Sequence, residues 1–224
     1  MSYTFQFGEV FKHFPYLLEG ALITLLVTFI AFFIGAAIGL VGAVTQRSGA
    51  VIPTRCVRAY VLFFTNTPAL IQIFVLFYGL PDIGIVLSPI LAVIIGLSLN
   101  AGAYLTDIMR SGLSSVRQTE LDAAATLNMG RWQSFRFVVL PHLAQTIYPL
   151  LSNFFIWLLL GSSIGGLFGL NELTGRAIDV SSSNFRTIET FIVIAGIYVI
   201  LTFVASGVLY LTGYICFRVK GKAF

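Results

Sequence analysis

RSGLSSVRQTELDAAATLNMGRWQSFRFVVLP, from Arg110 to Pro141, is the one long polar interval that also carries helix punctuation. Apolar runs of membrane-spanning length lie on both sides of it. Ordinary connections between helices are much shorter, so the interval reads as a surface displayed to water rather than a mere link. Thr119 and Asp122 have the S/T-x-x-acid spacing of a capping box. Glu120 to Leu127 reads as a short alanine-rich helix, and Asn128 stands where a left-handed residue would end it. Gly130 lets the chain turn again. Arg131 to Val139 reads as a second helix with Trp132, Phe135 and Val139 on one face, closed by Pro141. The expected unit is helix, turn, helix, with Ala123, Ala124 and Ala125 forming a small-residue surface suited to a groove on another protein.

Composition places this unit beside a membrane. The chain is 58% hydrophobic and only 10% charged, against roughly 25% charged in soluble domains, and its mean hydropathy is +0.95. Unbroken runs rich in Leu, Ile, Val and Phe are helices. A membrane β-barrel would instead show ~10-residue alternating segments. The expected fold class is all-α integral membrane, one transmembrane domain over residues 1–224. No basic n-region with an A-x-A site opens the chain, so the first span is expected to act as its own insertion signal. Cys56 and Cys216 lie near span ends assigned to the cytoplasmic side, where a disulfide is not expected. Neither they nor His13 and His142 have the neighbours of a metal site, so no metal is assigned.

Five spans are expected, at about 20–44, 59–80, 85–106, 147–170 and 191–217. Before them, Phe7, Phe11 and Phe14 recur at helical spacing with Glu9, Lys12 and His13 between, which fits a short interfacial helix. In span one, Gly35-Ala-Ala-Ile-Gly39 is a small-xxx-small pattern for close helix packing. In span two, Asn66 and Pro68 interrupt the run, and a carbonyl freed by proline must be buried in protein or face a cavity. Span three carries one strong polar residue, Asn100. The second half of span four, Gly161 to Gly169, is too glycine-rich for a quiet lipid-facing helix.

The Lys/Arg distribution orients the spans. With the N-terminus outside, the inner segments hold ten cations: Arg47, Arg55, Arg58, Arg110, Arg117, Arg131, Arg136, Arg218, Lys220 and Lys222. The outer segments hold three: Lys12, Arg176 and Arg186. The orientation is N-out and C-in, and the loop 110–141 is cytoplasmic. The net charge of +4 and pI near 9.2 are then a matter of anionic lipid, not nucleic acid.

Asp122-Ala-Ala, then position 128, then Val138 and Leu140-Pro141 resemble, in register, the EAA loop of permease subunits of bacterial ATP-binding-cassette importers. The closer resemblance is to polar amino-acid permeases of the histidine/glutamine type. It rests on LNAGAYLTDIMRSG (Leu99–Gly112), RWQSFR from Arg131, Val139-Leu-Pro141, Pro149 to Asn153, Thr67-Pro68 before Ile71-Gln72, and Tyr78-Gly-Leu-Pro81. It covers nearly the whole chain. The resemblance implies a type I importer permease fold of five spans in the bacterial inner membrane, with a cytoplasmic coupling helix between spans three and four. It implies that Glu120, Asp122, Ala123, Ala124, Leu127, Asn128 and Met129 engage a separate ATPase dimer. ATP and Mg belong to that partner, because this chain has no G-x-x-x-x-G-K-[ST]. It also implies a second permease subunit and a periplasmic or surface solute-binding protein. No catalytic residue and no cofactor are expected here. The alternative is a channel not coupled to ATP, or a scaffolding membrane subunit, whose loop holds another partner.

Five positions depart from the family pattern, the last two at the solute pocket. Asp122 stands for the family's Glu and Asn128 for its Gly; an arginine is missing at Thr65. Leu160-Gly-Ser-Ser-Ile164 stands where the family usually has L-K-D-T-S-L, and Phe154 replaces an acid. A charge at mid-membrane costs at least ~2.5 kcal/mol and persists only for function, so this chain is not expected to bind a strongly charged solute alone. Three accounts stay open, the first favoured: a different, homologous partner permease carries the site; Asn100, Asn153, Ser162, Ser163 and backbone carbonyls contact the solute; or selectivity rests with the binding protein. The residues assigned to the pathway are Asn100, Asn153, Phe154, Trp157, Gly161, Ser162 and Ser163. For Asn100, packing is the competing reading. For Ser162 and Ser163 it is interhelical hydrogen bonding. Asp107 and Arg110, three apart, read either as a brace to the loop or as a modest ion pair.

Overall fold

The computed structural model describes residues 4–217, all of whose regular elements are helical. Arg218, Lys220 and Lys222, three of the cations assigned to the inner side, lie outside the described residues. After a five-residue helix α1 (Phe7–Phe11), α2 (Phe14–Arg47) runs for 34 residues, about 50 Å at 1.5 Å per residue. The next helices are α3 (Val51–Thr65) and α4 (Ala69–Phe74), then α5 (Pro89–Ser115), α6 (Gln118–Thr126) and α7 (Arg131–Ser134). The chain closes with α8 (Leu140–Gly161), α9 (Leu173–Asn184) and α10 (Thr187–Phe217). Among the described residues, four helical stretches are long and apolar enough to cross a membrane: Phe14–Arg47, Pro89–Ser115, Arg131–Phe168 and Thr187–Cys216. A fifth candidate is a broken pair, Val51–Thr65 and Ala69–Ile83, bent by 102°.

The centre of the bundle is the seam between α2 and α5. A Cβ at Gly35 would lie 2.7 Å from that of Ala101, and one at Gly39 would lie 2.8 Å from Leu105 Cβ. From the other side, a Cβ at Gly102 would lie 2.7 Å from Ile38 and from the Tyr60 hydroxyl. Backbones this close leave no room for larger side chains, which is the packing expected of the Gly35–Gly39 pattern. Val27, Ala31, Leu97, Ala101 and Leu105 are buried along the seam, and Phe154 and Leu158 of α8 close over it. A second cluster joins Leu17 and Ala21 of α2 to Leu173, Ala177 and Val180 of α9 and to Ile194 and Ile197 of α10. The opposite faces of α2 and α10 show Leu22, Leu26, Phe29, Phe203 and Ile215 to the surroundings, as helices in lipid do.

Asn66 and Pro68 interrupt span two as expected: the chain turns there between α3 and α4. Other elements depart from the sequence expectation. Span three does not stop near 106: α5 runs on to Ser115, so the first turns of the polar interval belong to the span. Pro141 does not end the second loop helix. A wider π turn at Phe135–Val139 carries α7 straight into α8, absorbing the missing N–H of the proline. The same device occurs at Val75–Gly79, just before Pro81. At the other end of α8 the helix tightens into a 3₁₀ segment, Ser162–Phe168, closed by left-handed Gly169 (φ +77°). The N-terminal helix is confined to Phe7–Phe11 and packs on α9 and α10, with the Gln6 N–H donating to Glu189 (3.0 Å). Cys56 and Cys216 are unpaired and exposed.

Gly39→Val is expected to destabilise the bundle by about 1–3 kcal/mol, since the Leu105 backbone cannot retreat. Thermal unfolding in detergent reads this out. Gly196→Ala and Gly207→Ala, where a Cβ meets nothing within 4 Å, should leave the transition in place.

Candidate functional site

The polar interval forms its rod by local rules. Ser114 and Ser115 at the end of α5 donate back to the carbonyls of Arg110 (3.0 Å) and Gly112 (2.7 Å). Val116 and Arg117 are extended, and α6 starts at Gln118 with Arg117 as its cap. The expected Thr119–Asp122 capping box does not form, because the helix begins two residues earlier. Asp122 instead accepts from the Gln118 amide at 2.9 Å. Asn128 is left-handed (φ +54°), and the N–H of Met129 closes on the Ala124 carbonyl at 3.0 Å, a C-cap of the Schellman kind. Gly130 then caps α7, its N–H donating to Gln133 Oε1 at 3.0 Å.

The faces of this rod are unequal. Ala124 is buried against its own chain, so it is not part of an open alanine surface. Glu120 also turns inward: its carboxylate lies 3.4 Å from His142 Nδ1, and His142 Nε2 lies 3.1 Å from the Ser115 hydroxyl. Three segments (the end of α5, the rod and the start of α8) therefore meet at one imidazole. Asp122, Ala123, Ala125, Leu127 and Asn128 face outward and Met129 is half-buried. Leu127 and Trp132 are 73% and 72% exposed, the latter stacked on Phe135. Asp107 and Arg110 do pair, at 3.2 Å, but both are about half exposed and belong to α5. They form a local ion pair of little worth rather than a brace. The tie from α5 to its neighbour is Arg47, which donates to the Leu113 carbonyl at 2.8 Å. Sequence reasoning missed both Arg47 and His142, because each acts through a residue distant in the chain.

The residues assigned to the pathway separate into two groups. Asn153 and Trp157 lie exposed along one face of α8, which Leu160, not among the assigned residues, continues, and the space before Gly161 is open. Phe154, though buried, stacks on Trp157 with ring centres 5.4 Å apart. Tyr104 of α5 meets both rings at 5.8–5.9 Å. Ser163 donates to the Leu160 carbonyl. Asn100 and Ser162 belong to the scaffold. Asn100 donates to the Phe64 carbonyl (3.1 Å) and to Gln72 Oε1 (3.2 Å). The Gln72 amide donates in turn to Phe64 O, Thr67 O and Thr67 Oγ1. Together they satisfy the carbonyls that Pro68 leaves free at the bend. Ser162 is fully buried, donates to Leu159 O (2.7 Å), and accepts from Thr28 of α2 (3.3 Å); for it the interhelical reading holds.

A second buried polar centre went unread in the sequence. Glu172 is fully buried and caps α9, accepting from Gly175 N–H at 2.9 Å. It also accepts from the hydroxyls of Thr24 (3.1 Å) and Tyr198 (3.0 Å). Burial pushes its carboxyl above the usual carboxylate range, while the N–H groups of Thr174 and Gly175 and the two hydroxyls pull it back. An acid directly after an apolar, glycine-rich stretch was the available signal.

The match to known proteins follows this geometry. Residues 35–212 match the family model described as the inner membrane component of binding-protein-dependent transport systems. The chain belongs to this family. This permease is 32% identical over 197 residues to YckA of Bacillus subtilis (strain 168), named a probable amino-acid ABC transporter permease. The match covers 88% of the permease and 87% of YckA. It is 28% identical over 209 residues to the glutamine transport system permease GlnP of Escherichia coli (strain K12), covering 92% and 94%. Among solved structures, a crystal structure of an amino acid ABC transporter with histidines superposes with a TM-score of 0.87 at 31% identity. That superposition covers 93% of the permease and 98% of the solved chain. The permease therefore has the type I importer permease fold.

Asn100→Ala removes a donor from two buried acceptors, which costs about 1–2 kcal/mol in a membrane protein. The expected fall in unfolding temperature is about 2–8 °C, read by thermal denaturation in detergent. Glu172→Gln puts an amide NH₂ among three donors. It should lower the unfolding temperature by at least as much, whereas Asp179→Asn on the exposed face of α9, where an amide oxygen can still accept from the Tyr16 hydroxyl, should not.

Proposed function

We propose that this chain is the permease subunit of an ATP-driven importer for amino acids or closely related small polar solutes, moved through α6 by a separate ATPase. The observation that carries this reading is the rod itself. It presents Asp122, Ala123, Ala125, Leu127 and Asn128 outward, while Glu120, His142 and Ser115 tie its inner face to two spanning helices. A push on α6 then reaches α5 and α8 together. The amino-acid class is supported by the names of the relatives and of the superposed structure. The orientation is N-out and C-in, supported by the Lys/Arg asymmetry, with the rod on the cytoplasmic side of the bacterial inner membrane.

The chain holds no site for ATP; ATP and Mg sit on the ATPase dimer. The second permease is a homologous, different chain, and a periplasmic or surface binding protein delivers the solute. The solute passes the face of α8 bearing Asn153, Trp157, Gly161 and Ser163, with Tyr104 and Phe154 behind the indole. That face carries no formal charge, so the solute's charged groups are met elsewhere, on the partner permease.

Because Ala124 is buried, Leu127 and Ala125 are the probes of docking. Leu127→Arg and Ala125→Arg should each weaken co-purification of the ATPase about tenfold or more. They should also abolish ATP-driven uptake in proteoliposomes without lowering the unfolding temperature of the permease. Unchanged ATPase association and uptake in both variants would sink the coupling role.

A further inference from the structure

At the elbow where α2 gives way to α3 there is a cavity of about 270 Å³, lined by Gln46, Gly49, Ala50, Val51, Thr54, Arg55 and Arg58. Arg55 and Arg58, three apart on α3, share one face. Both are exposed, and among the described residues neither makes an ion pair or a hydrogen bond. The neighbouring groups are already committed: Arg47 donates to Leu113 O, and Thr54 to Thr45 O at 3.2 Å. The Gln46 side chain has no partner among the described residues. No Asp or Glu occurs between Glu19 and Asp82, so α3, α4 and the part of α2 beyond Glu19 bring no counter-charge; Glu19 itself, near the far end of α2, is paired with Arg176 at 2.7 Å. Asp107, on the neighbouring helix α5, is paired with Arg110.

Around this cationic pocket the surface is apolar. Val44, Val51 and Ile52 are 55%, 61% and 74% exposed, and Leu40 and Val41 continue the surface along α2. Two guanidiniums with free donor forks suit the non-bridging oxygens of a phosphodiester. The adjoining hydrocarbon surface suits the chains attached to it. The elbow joins a helix long enough to span a membrane to the first half of the broken span, so it lies at headgroup depth.

We propose that the α2–α3 elbow is a binding site for an anionic phospholipid. Arg55 and Arg58 hold the phosphodiester, Gln46 donates to the headgroup, and the acyl chains lie along Val44, Val51 and Ile52. The site attracts an anion through charge alone at long range and selects it through the paired forks at contact. The bound phosphodiester also supplies the counter-charge that the first turns of α3 otherwise lack. The site is independent of ATPase docking, so a failure of one reading is distinguishable from a failure of the other.

Native mass spectrometry of the full membrane complex tests this. Phosphatidylglycerol and phosphatidylcholine of matched acyl chains compete for the wild type, the Arg55→Gln/Arg58→Gln variant and an Arg131→Gln/Arg136→Gln variant with the same loss of charge. Retention of phosphatidylglycerol over phosphatidylcholine in the wild type is expected, falling about tenfold or more in Arg55→Gln/Arg58→Gln and unchanged in the control variant. Equal retention of the two lipids by the wild type overturns the proposal even if the double variant does not fold. Three other results also overturn it. One is displacement of phosphatidylglycerol by millimolar inorganic phosphate, which would mark a site for free anions. Another is an equal loss in the control variant. The last is loss of the ATPase from Arg55→Gln/Arg58→Gln complexes in phosphatidylcholine nanodiscs, which would mark a protein contact.

Discussion

The close approach of α2 and α5 is the constraint on which the rest of the permease depends. In lipid there is little hydrophobic drive between apolar helices, so packing and hydrogen bonds must hold them. Glycines at 35, 39 and 102 bring the two backbones together until a single added carbon would collide. That seam places Tyr104 opposite Phe154 and Trp157 and carries α5 down to Ser115, where the rod begins. A wider seam would move both the aromatic face and the rod.

Around the seam, irregular backbone is tolerated only where buried side chains answer it. The bend after α3 is answered by Asn100 and Gln72, which reach the carbonyls of Phe64 and Thr67. The tight segment after α8 is tied to α2 at its start by Thr28 and Ser162, and just beyond it Glu172 joins Thr24 of α2 to the first turn of α9. The two prolines that follow spans of regular helix, Pro81 and Pro141, are each preceded by a π turn. In the second case continuity of the helix has a mechanical consequence. Because α7 flows into α8 without a break, the loop is joined rigidly to the span that carries the aromatic face, while His142 joins it to α5, as the proposed coupling requires.

The rod differs in character from the spans. Its outward residues, Asp122, Ala123, Ala125, Leu127 and Asn128, stand clear of the bundle, and inward Glu120 meets His142. A free rod of nine residues would be a marginal helix in water. Its left-handed Asn128 cap and its contact with His142 hold it in shape before any partner arrives. In the docking proposed above, a pre-shaped element avoids the ordering cost that a disordered loop would carry.

The linear chain by itself determined the class of the molecule, because hydropathy and charge counts act over long windows and need no contacts. It also determined the small-residue seam, the interruption at Asn66–Pro68 and the left-handed turn at Asn128, since each is a local property of residue type. The permease family was legible for the same reason: the loop's register is a matter of spacing. Only the tertiary structure decided which residues of the rod look outward, turning Glu120 and Ala124 inward and leaving Leu127 exposed. It alone moved Asn100 and Ser162 from the pathway into the scaffold, and revealed Glu172, Arg47 and His142 as joints. Each of these depends on partners up to 148 residues away, and no period or motif in a single chain encodes which distant carbonyl, hydroxyl or imidazole will face a given side chain.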